Sequence, residues 1–331
     1  MYLCKGSYKI KKMFDIPILF IIFNRLDTTQ RVFDMIKSIQ PQRLYVACDG
    51  ARPERVGEAA ACSQTQNIIN QIDWDCELFT YFLDENIGSS QGPYTFIKWF
   101  FAHETKGIVL EHDCLPHPDF FGFCRTMLNK YEHDLTIGTI AGTNFNAKDT
   151  DPSSYYLSAY NHLWGWATWK RTIDLYDIAL SNYTEAKLPA VLDLYFDRGA
   201  ERFYWKTIFW QIKRKQIQTW DYHLTFACWF NRLYAVVPTR NLISNIGFGA
   251  GAIHTVDTNS PMANVPTHSI LPLQEPPMLK VNKIAETAYF KTVILDNKSE
   301  YYLYLKLYLK RLGVFNSLLA FKRRLISIAK R

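Results

Sequence analysis

The stretch from Gly107 to Phe121 reads GIVLEHDCLPHPDFF. A short apolar run, Ile108 to Leu110, stops at Glu111-His112-Asp113, and Pro118-Asp119-Phe120-Phe121 follows a few residues later. A short continuous apolar run bounded by polar residues is the pattern of a strand buried on both faces. Two acids and an imidazole at the point where such a strand surfaces ask for a partner.

Working outward, the same pattern recurs through residues 1–140. Apolar runs fall at Ile16–Phe23, Leu44–Cys48, Leu78–Leu83, Ile108–Leu110 and Ile137–Ala141. Helical periodicity lies between them, near Thr28–Ile39, Ser63–Ile72, Tyr94–His103 and Pro118–Tyr131. This alternation predicts an α/β fold, a Rossmann-like, mostly parallel sheet with helices on both faces. Right-handed crossovers bring the C-terminal ends of the strands to one edge, where such sheets bind ligands. Polar clusters follow four successive runs: Phe23-Asn24-Arg25, then CDGARP from Cys48, DENIGSSQG from Asp84, and Glu111-His112-Asp113-Cys114.

The second half is aromatic. NHLWGWATWKR from Asn161 places Trp164, Trp166 and Trp169 around Gly165. TWDYHLTFACWFNR from Thr219 reads as a loop and then a helix, and Tyr234 opens a strand leading into the Gly-rich stretch that ends at His254. Residues 261–298 are rich in proline at first and lack periodicity, so an extended linker is expected there. Residues 299–331 read as a basic amphipathic helical tail, with Gly313 dividing it into two short helices. The expected layout is a catalytic domain over 1–260, with halves at 1–140 and 141–260, followed by linker and tail.

The formal charge of +7 sits in that tail, where residues 301–331 carry eight Lys or Arg and no acid. The rest of the chain is therefore near neutral, which argues against a basic nucleic-acid-binding domain. Seven cysteines, an odd number without zinc spacing, point to free thiols in a reducing compartment. The basic N-terminus precedes IPILFIIF, whose eight residues fall short of the roughly 20 that span a bilayer. No cleavage site follows, and a buried strand in a cytoplasmic protein is the expectation.

Each polar cluster admits two uses. The carboxylates at Glu111 and Asp113 suit a hard divalent cation, Mn2+ or Mg2+. Alternatively, Asp113 or Asp119 caps the helix near Pro118. Asn24-Arg25 suits a diphosphate, and Asp49 suits a base N–H or a ribose hydroxyl. Asp49-Gly50 is equally a plain turn. Asn86 to Gly88 is either a helix-start loop or a phosphate-facing helix N-terminus, although its glycines do not match a dinucleotide or P-loop fingerprint. Asp221 is a candidate general base or a helix cap. His254 is a candidate metal ligand on a glycine-rich loop or an ordinary exposed histidine.

In order along the chain, these motifs resemble those of GT-A fold nucleotide-sugar glycosyltransferases, and more narrowly bacterial relatives of the N-acetylglucosaminyltransferase I group. The matching residues are Asn24-Arg25, Asp49, Glu111-His112-Asp113, Pro118-Asp119-Phe120-Phe121, Gly165-Trp166, Trp220-Asp221, and Ser244 with Phe248-Gly249 and His254. They span about Pro17 to Thr255. The resemblance implies that Asn24, Arg25, Asp49 and Asn86 lie at the nucleotide, a uridine, and Glu111 and His112 at the ribose and donor sugar. It makes Asp113 the metal ligand, with His254 closing over the diphosphate. Asp221 becomes the base of an inverting transfer, and Trp164, Gly165 and Trp166 line the acceptor. His112 departs from the family, which carries an acid there.

The implied activity is metal-dependent hexosyl or N-acetylhexosaminyl transfer from a nucleotide sugar, onto a cell-surface glycan or lipid-linked acceptor. Its two rivals are a sugar nucleotidyltransferase and a non-catalytic carbohydrate-binding protein. The nucleotidyltransferase normally has a glycine-rich basic loop after the first strand, which FNRLDTT lacks. The tail either packs its apolar face on the catalytic domain, leaving its cations solvated, or lies on an anionic membrane surface, its partner on the inner face of the cytoplasmic membrane.

Overall fold

The computed structural model describes residues 13–145, 152–249, 260 and 262–311. Strand β1 (Ile18–Ile22) is buried along its whole length and leads into α1 (Leu26–Ile39). β2 (Arg43–Cys48), α2 (Glu58–Gln66) and β3 (Glu77–Phe82) follow, then α3 (Gly88–His103), β4 (Lys106–Glu111), the short β5 (Cys114–Pro116) and α4 (Pro118–Lys130). Each strand and helix expected up to this point is present.

The helix α3 begins six residues before the expected Tyr94, inside a stretch rich in glycine and serine and ahead of Pro93. Local sequence opposes a helix start there. A carboxylate from elsewhere in the chain supplies it, as described below.

Side chains of the central strands alternate between two cores. Ile18, Phe20, Leu44, Val46, Ile108 and Leu110 pack with α1 and α4 on one face. Leu19, Ile21, Tyr45, Ala47 and Val109 pack with Phe96, Ile97 and Phe100 of α3 on the other. Burial on both faces is why these strands read as continuous apolar runs.

The chain then adds β6 (Ile137–Ala141), β7 (Tyr155–Ser158), β8 (Trp166–Trp169), α5 (Lys170–Asp174), α6 (Leu188–Tyr195), α7 (Gly199–Lys213), α8 (Asp221–Phe230), β9 (Tyr234–Pro238) and β10 (Ile243–Asn245). One eight-stranded sheet, ordered β3-β2-β1-β4-β8-β6-β9-β7, runs through both expected halves. Only β8 and β7 oppose the common direction. The fold is thus the expected α/β one, a Rossmann-like, mostly parallel sheet with helices on both faces. The strands β5 and β10 form a separate antiparallel ribbon.

The region expected as an extended linker is irregular only at first. α9 (Lys283–Tyr289) runs into a π-helical turn at Phe290–Ile294, and this correction has a simple cause. Asn282 caps α9 by accepting from the Ala285 N–H, and Ala285, Glu286 and Phe290 are buried against the domain. Helical periodicity over such a short segment is hard to see in sequence. The tail begins as expected with a helix, α10 (Glu300–Arg311). Leu303 and Leu307 pack against Ala200, Phe290 and Leu295, and Tyr304 meets Phe203. Tyr301, Tyr302, Leu305 and Tyr308 face outward. Among the described residues, no helix is long and apolar enough to cross a membrane. The described cysteines are free, as expected.

Candidate active site

The C-terminal ends of β1, β2, β3 and β4 and the start of β8 lie along one edge, and the described candidate residues lie there or at the start of α8. Asp113 sits between β4 and the β5–β10 ribbon. Its carbonyl accepts the Ile246 N–H at 2.8 Å, pinning the strand end to the chain leaving β10. The Gly247 backbone lies against its carboxylate, and a Cβ at Gly247 would stand 2.1 Å from Asp113 Oδ2. The N–H of Gly247 is held by Asn245 Oδ1 at 2.9 Å, and its carbonyl accepts from Arg25 Nη1 at 2.8 Å. Arg25 therefore links the end of β1 to the glycine loop beside Asp113.

The capping alternative for Asp113 does not hold. His117 is the N-cap of α4, its Nδ1 accepting from the Asp119 N–H. The Asp119 carboxylate instead accepts from Ser269 Oγ and the Ile270 N–H.

Glu111 is the last residue of β4. Burial raises its carboxyl well above the ordinary range, and the negative charges of Asp113 and then Asp221 push the same way. The structure thus brings the carboxylates of Glu111, Asp113 and Asp221 into one field, although Asp221 lies over a hundred residues away in sequence. The imidazole of His112 is held neutral mainly by burial, against the pull of Asp113.

Asp221 opens α8, where an acid is favoured by the helix dipole. Its Oδ1 accepts from Thr219 Oγ and from the Tyr222 N–H. The segment before it is fixed by Tyr176, whose hydroxyl donates to the Trp220 carbonyl, and by Ser90, which donates to the Thr219 carbonyl. Trp220 stacks on Trp166 with centroids 6.0 Å apart.

That stacking corrects one expectation. Trp166 is 1% exposed and supports Trp220 from below, so it cannot touch an acceptor. Trp169 is buried as well, its indole donating to the Leu128 carbonyl. Trp164 is only partly buried, between Phe145 and Phe248. Gly165 adopts φ +58°, and a Cβ there would strike Ile243, so it sets the close approach of β8 to the ribbon.

Several nucleotide candidates are already engaged. Asp49 accepts from the N–H groups of Gly50, Ile87 and Gly88, each at 2.9 Å. It caps α3 from the end of the neighbouring strand, which favours the helix-start alternative, since the Ile87 and Gly88 N–H groups point to it. Asn86 donates to the Gly50 carbonyl at 2.7 Å and ties the same two loops. Asn24 donates to Glu58 at 2.8 Å. Glu58 also receives the Arg52 N–H and guanidinium, which hold its carboxyl down at about 2. Arg52, Glu58, Gly247 and Asn245 were not singled out by sequence. SNIGFG carries a turn signal that points to the last two, whereas nothing local links Glu58 to Asn24.

Among the described residues, no cluster of three or more His, Cys, Asp or Glu is arranged to hold a metal. His254 lies outside the described residues. The adjacent acids Glu111 and Asp113 nevertheless suit a hard cation that draws its other ligands from a diphosphate and water. The described hydrogen bonds to the Asp113 and Asp221 carboxylates come from neutral thiol, hydroxyl and amide donors.

No family model matches the sequence, and no curated protein matches it. Among solved structures, the chain is similar to the mannosyltransferase PcManGT from Pyrobaculum calidifontis in complex with GDP-Man and Mn2+ (TM-score 0.37, 12% identity, covering 67% of this chain and 71% of that one). It is also similar to HddC from Yersinia pseudotuberculosis (0.31, 10%, 48% and 79%). A third is 4-diphosphocytidyl-2C-methyl-D-erythritol synthase from Anaerococcus prevotii (0.33, 9%, 51% and 78%).

Proposed function

We propose that this protein is a metal-dependent, inverting glycosyltransferase that moves a sugar from a nucleoside-diphosphate donor, a UDP-sugar, to a hydroxyl of a cell-surface glycan or glycolipid precursor. The observation that carries the reading is that the charges of Asp113 and Asp221 both act on the buried Glu111, at the C-terminal edge of a mostly parallel sheet.

Asp113 is the residue to hold the metal, with Glu111 beside it and Gly247 leaving room. Bound there, Mn2+ or Mg2+ would neutralise charge growing on the leaving diphosphate. Arg25, already fixed on the Gly247 carbonyl, supplies a further positive group at the same loop. Asp221 takes the proton of the acceptor hydroxyl as its oxygen bonds to the anomeric carbon and the bond to the β-phosphate oxygen breaks. A positioned base of this kind contributes about 10²–10⁴ in rate. His112, kept neutral, can donate or accept one hydrogen bond to the ribose or the donor sugar.

A thermal-shift titration with UDP and GDP, each with and without Mn2+, tests the reading. UDP should raise the melting temperature more with Mn2+ than without, and Asp113→Ala should abolish that difference. A Mn2+ effect unchanged in Asp113→Ala would sink the metal assignment. No shift with either nucleotide would sink the transferase reading.

A further inference from the structure

The helix α10 is apolar on two sides. Leu303 and Leu307 face inward and pack against Ala200, Phe290 and Leu295. Tyr301, Leu305 and Tyr308, spaced i, i+4 and i+7, form a second stripe that is 79%, 48% and 58% exposed. Tyr302 and Tyr304 flank it and are exposed as well. The two uses open to the tail are therefore compatible: one stripe holds α10 on the domain, and the other stays in solvent. A contiguous aromatic and aliphatic stripe left in water marks an interaction surface.

Charge decides what the stripe meets. Residues 301–331 carry eight Lys or Arg and no acid, three of them within α10 and five beyond Arg311. The acids just before them are paired, Asp296 with Lys298 and Glu300 with Arg198. At the end of α10 the Arg311 guanidinium lies over the ring of the partly exposed Trp210, 5.5 Å from its centroid. A second copy of the chain, seated stripe to stripe, would bring eight more cations to the first eight. The chain's own residues 312–331, folded over the stripe, would bring five against three, again with no acid among them. Like charge at close range opposes both occupants and draws in an anionic one. A nucleic acid would answer the cations but offers Leu305 no apolar phase to enter. A bilayer with anionic headgroups offers both, and tyrosine, with an apolar ring and a polar tip, suits its interface.

We propose that the outward face of α10 is a membrane-docking surface. Tyr301, Leu305 and Tyr308 enter the interface of an anionic bilayer, and the cations of residues 301–331 hold its headgroups. The inference stands apart from the transferase reading, since it uses none of the residues at the strand ends. A helix of 12 residues, against the roughly 20 that span a bilayer, lies along the surface. Leu303 and Leu307 remain packed on the domain, so α10 docks without leaving it.

The test is co-sedimentation of the full chain with vesicles of phosphatidylcholine alone and of phosphatidylcholine with about one quarter phosphatidylglycerol, at about 0.01 M and about 0.15 M salt. At the lower salt, partitioning onto the anionic vesicles should exceed that onto phosphatidylcholine by about tenfold or more, and it should fall at the higher salt. The variant Tyr301→Ser/Leu305→Ser/Tyr308→Ser should lose about tenfold on anionic vesicles with an unchanged melting temperature, since all three side chains are exposed. Lys322→Gln/Arg323→Gln/Arg324→Gln should narrow the preference for anionic vesicles by about tenfold. Equal partitioning of wild type onto both vesicles, or onto neither, would overturn the proposal whatever the variants do. A serine variant that binds as tightly as wild type would overturn it too. With a lowered melting temperature, that result would assign the stripe to the chain's own end. With a wild-type dimer that the variant loses, read by sedimentation velocity, it would assign the stripe to a second copy.

Discussion

Glu58 in the first half and Glu286 in the second are about equally buried, 7% and 5% exposed, yet their carboxyls are driven in opposite directions. Glu58 is held down at about 2 by the Arg52 guanidinium, with Asn24 adding a hydrogen bond. Glu286 is pushed up to about 7, because burial outweighs the Ala159 N–H and Lys283. The contrast extends to the regions around them. At the ends of β1, β2 and β3, polar side chains saturate one another and the backbone. Around α8 and α9, positions are set by aromatic packing, and the buried Glu286 and Glu201 are desolvated. A desolvated carboxylate can take up a proton near neutrality, and a saturated one cannot. On the proposed reading the first region serves as a scaffold for loops, and the chemistry falls to the acids at its border with the second.

The sharpest way to break this comparison is Asp221→Asn. The amide keeps the acceptor of the Thr219 and Tyr222 hydrogen bonds and removes the base. Turnover should fall by about 10²–10⁴, while UDP affinity with Mn2+ and the melting temperature stay near wild type. Loss of folding with no soluble protein would instead make Asp221 a cap, like Asp49.

Asp49→Asn should do the opposite. Its carboxylate holds three backbone N–H groups, and an amide can oppose them with only one oxygen. The expected cost is about 1–3 kcal/mol of stability, read by urea denaturation, with UDP affinity falling only as far as the Asp84–Gly88 loop loosens. Wild-type stability with a large loss of UDP affinity would return Asp49 to the nucleotide.

These two aspartates also mark what could be read in the sequence. The alternation of apolar runs and helical segments is local, and it placed β1 to β4 and their helices correctly. Both aspartates follow directly from turn and helix signals, so their positions were legible as well. Their partners were not. Asp49 reaches Ile87 and Gly88, Glu58 reaches Asn24, and Gly247 lies on Asp113, each across a gap in the chain that no periodicity spans. Trp166 shows the same limit. Its acceptor role comes only from the resemblance, with core packing as the alternative, and the packed structure shows Trp220 lying over it. The helix α9 was missed because one capped turn with a single buried face resembles a polar loop.

The smallest expected effect sharpens the comparison where it began. Glu286 accepts from the Ala159 N–H at 2.6 Å and fastens α9 to the end of β7, with Lys283 3.7 Å away. Its folded value of about 7 lies above the ordinary carboxyl value of 4.5 in the unfolded chain. Between those two values the folded protein holds a proton that the unfolded chain has released. Stability from this group is therefore full below the unfolded value and is lost as pH rises through the folded one. Glu201, which accepts from the Tyr160 hydroxyl at 2.9 Å, is also raised by burial and adds to the same trend. Glu286→Gln keeps an acceptor for the Ala159 N–H and removes the titration. Relative to wild type, the variant should gain on the order of 3 kcal/mol between about pH 5 and about pH 8, leaving a shallower slope due to Glu201. Glu58→Gln should show the reverse, since Glu58 stabilises above the unfolded value and that contribution fades as pH falls toward about 2. Melting curves of both variants from about pH 2 to about pH 8 decide the matter. Identical pH slopes for wild type and Glu286→Gln would mean that Lys283 neutralises Glu286 in solution, and the distinction between a saturated and a desolvated half would fail at its clearest pair.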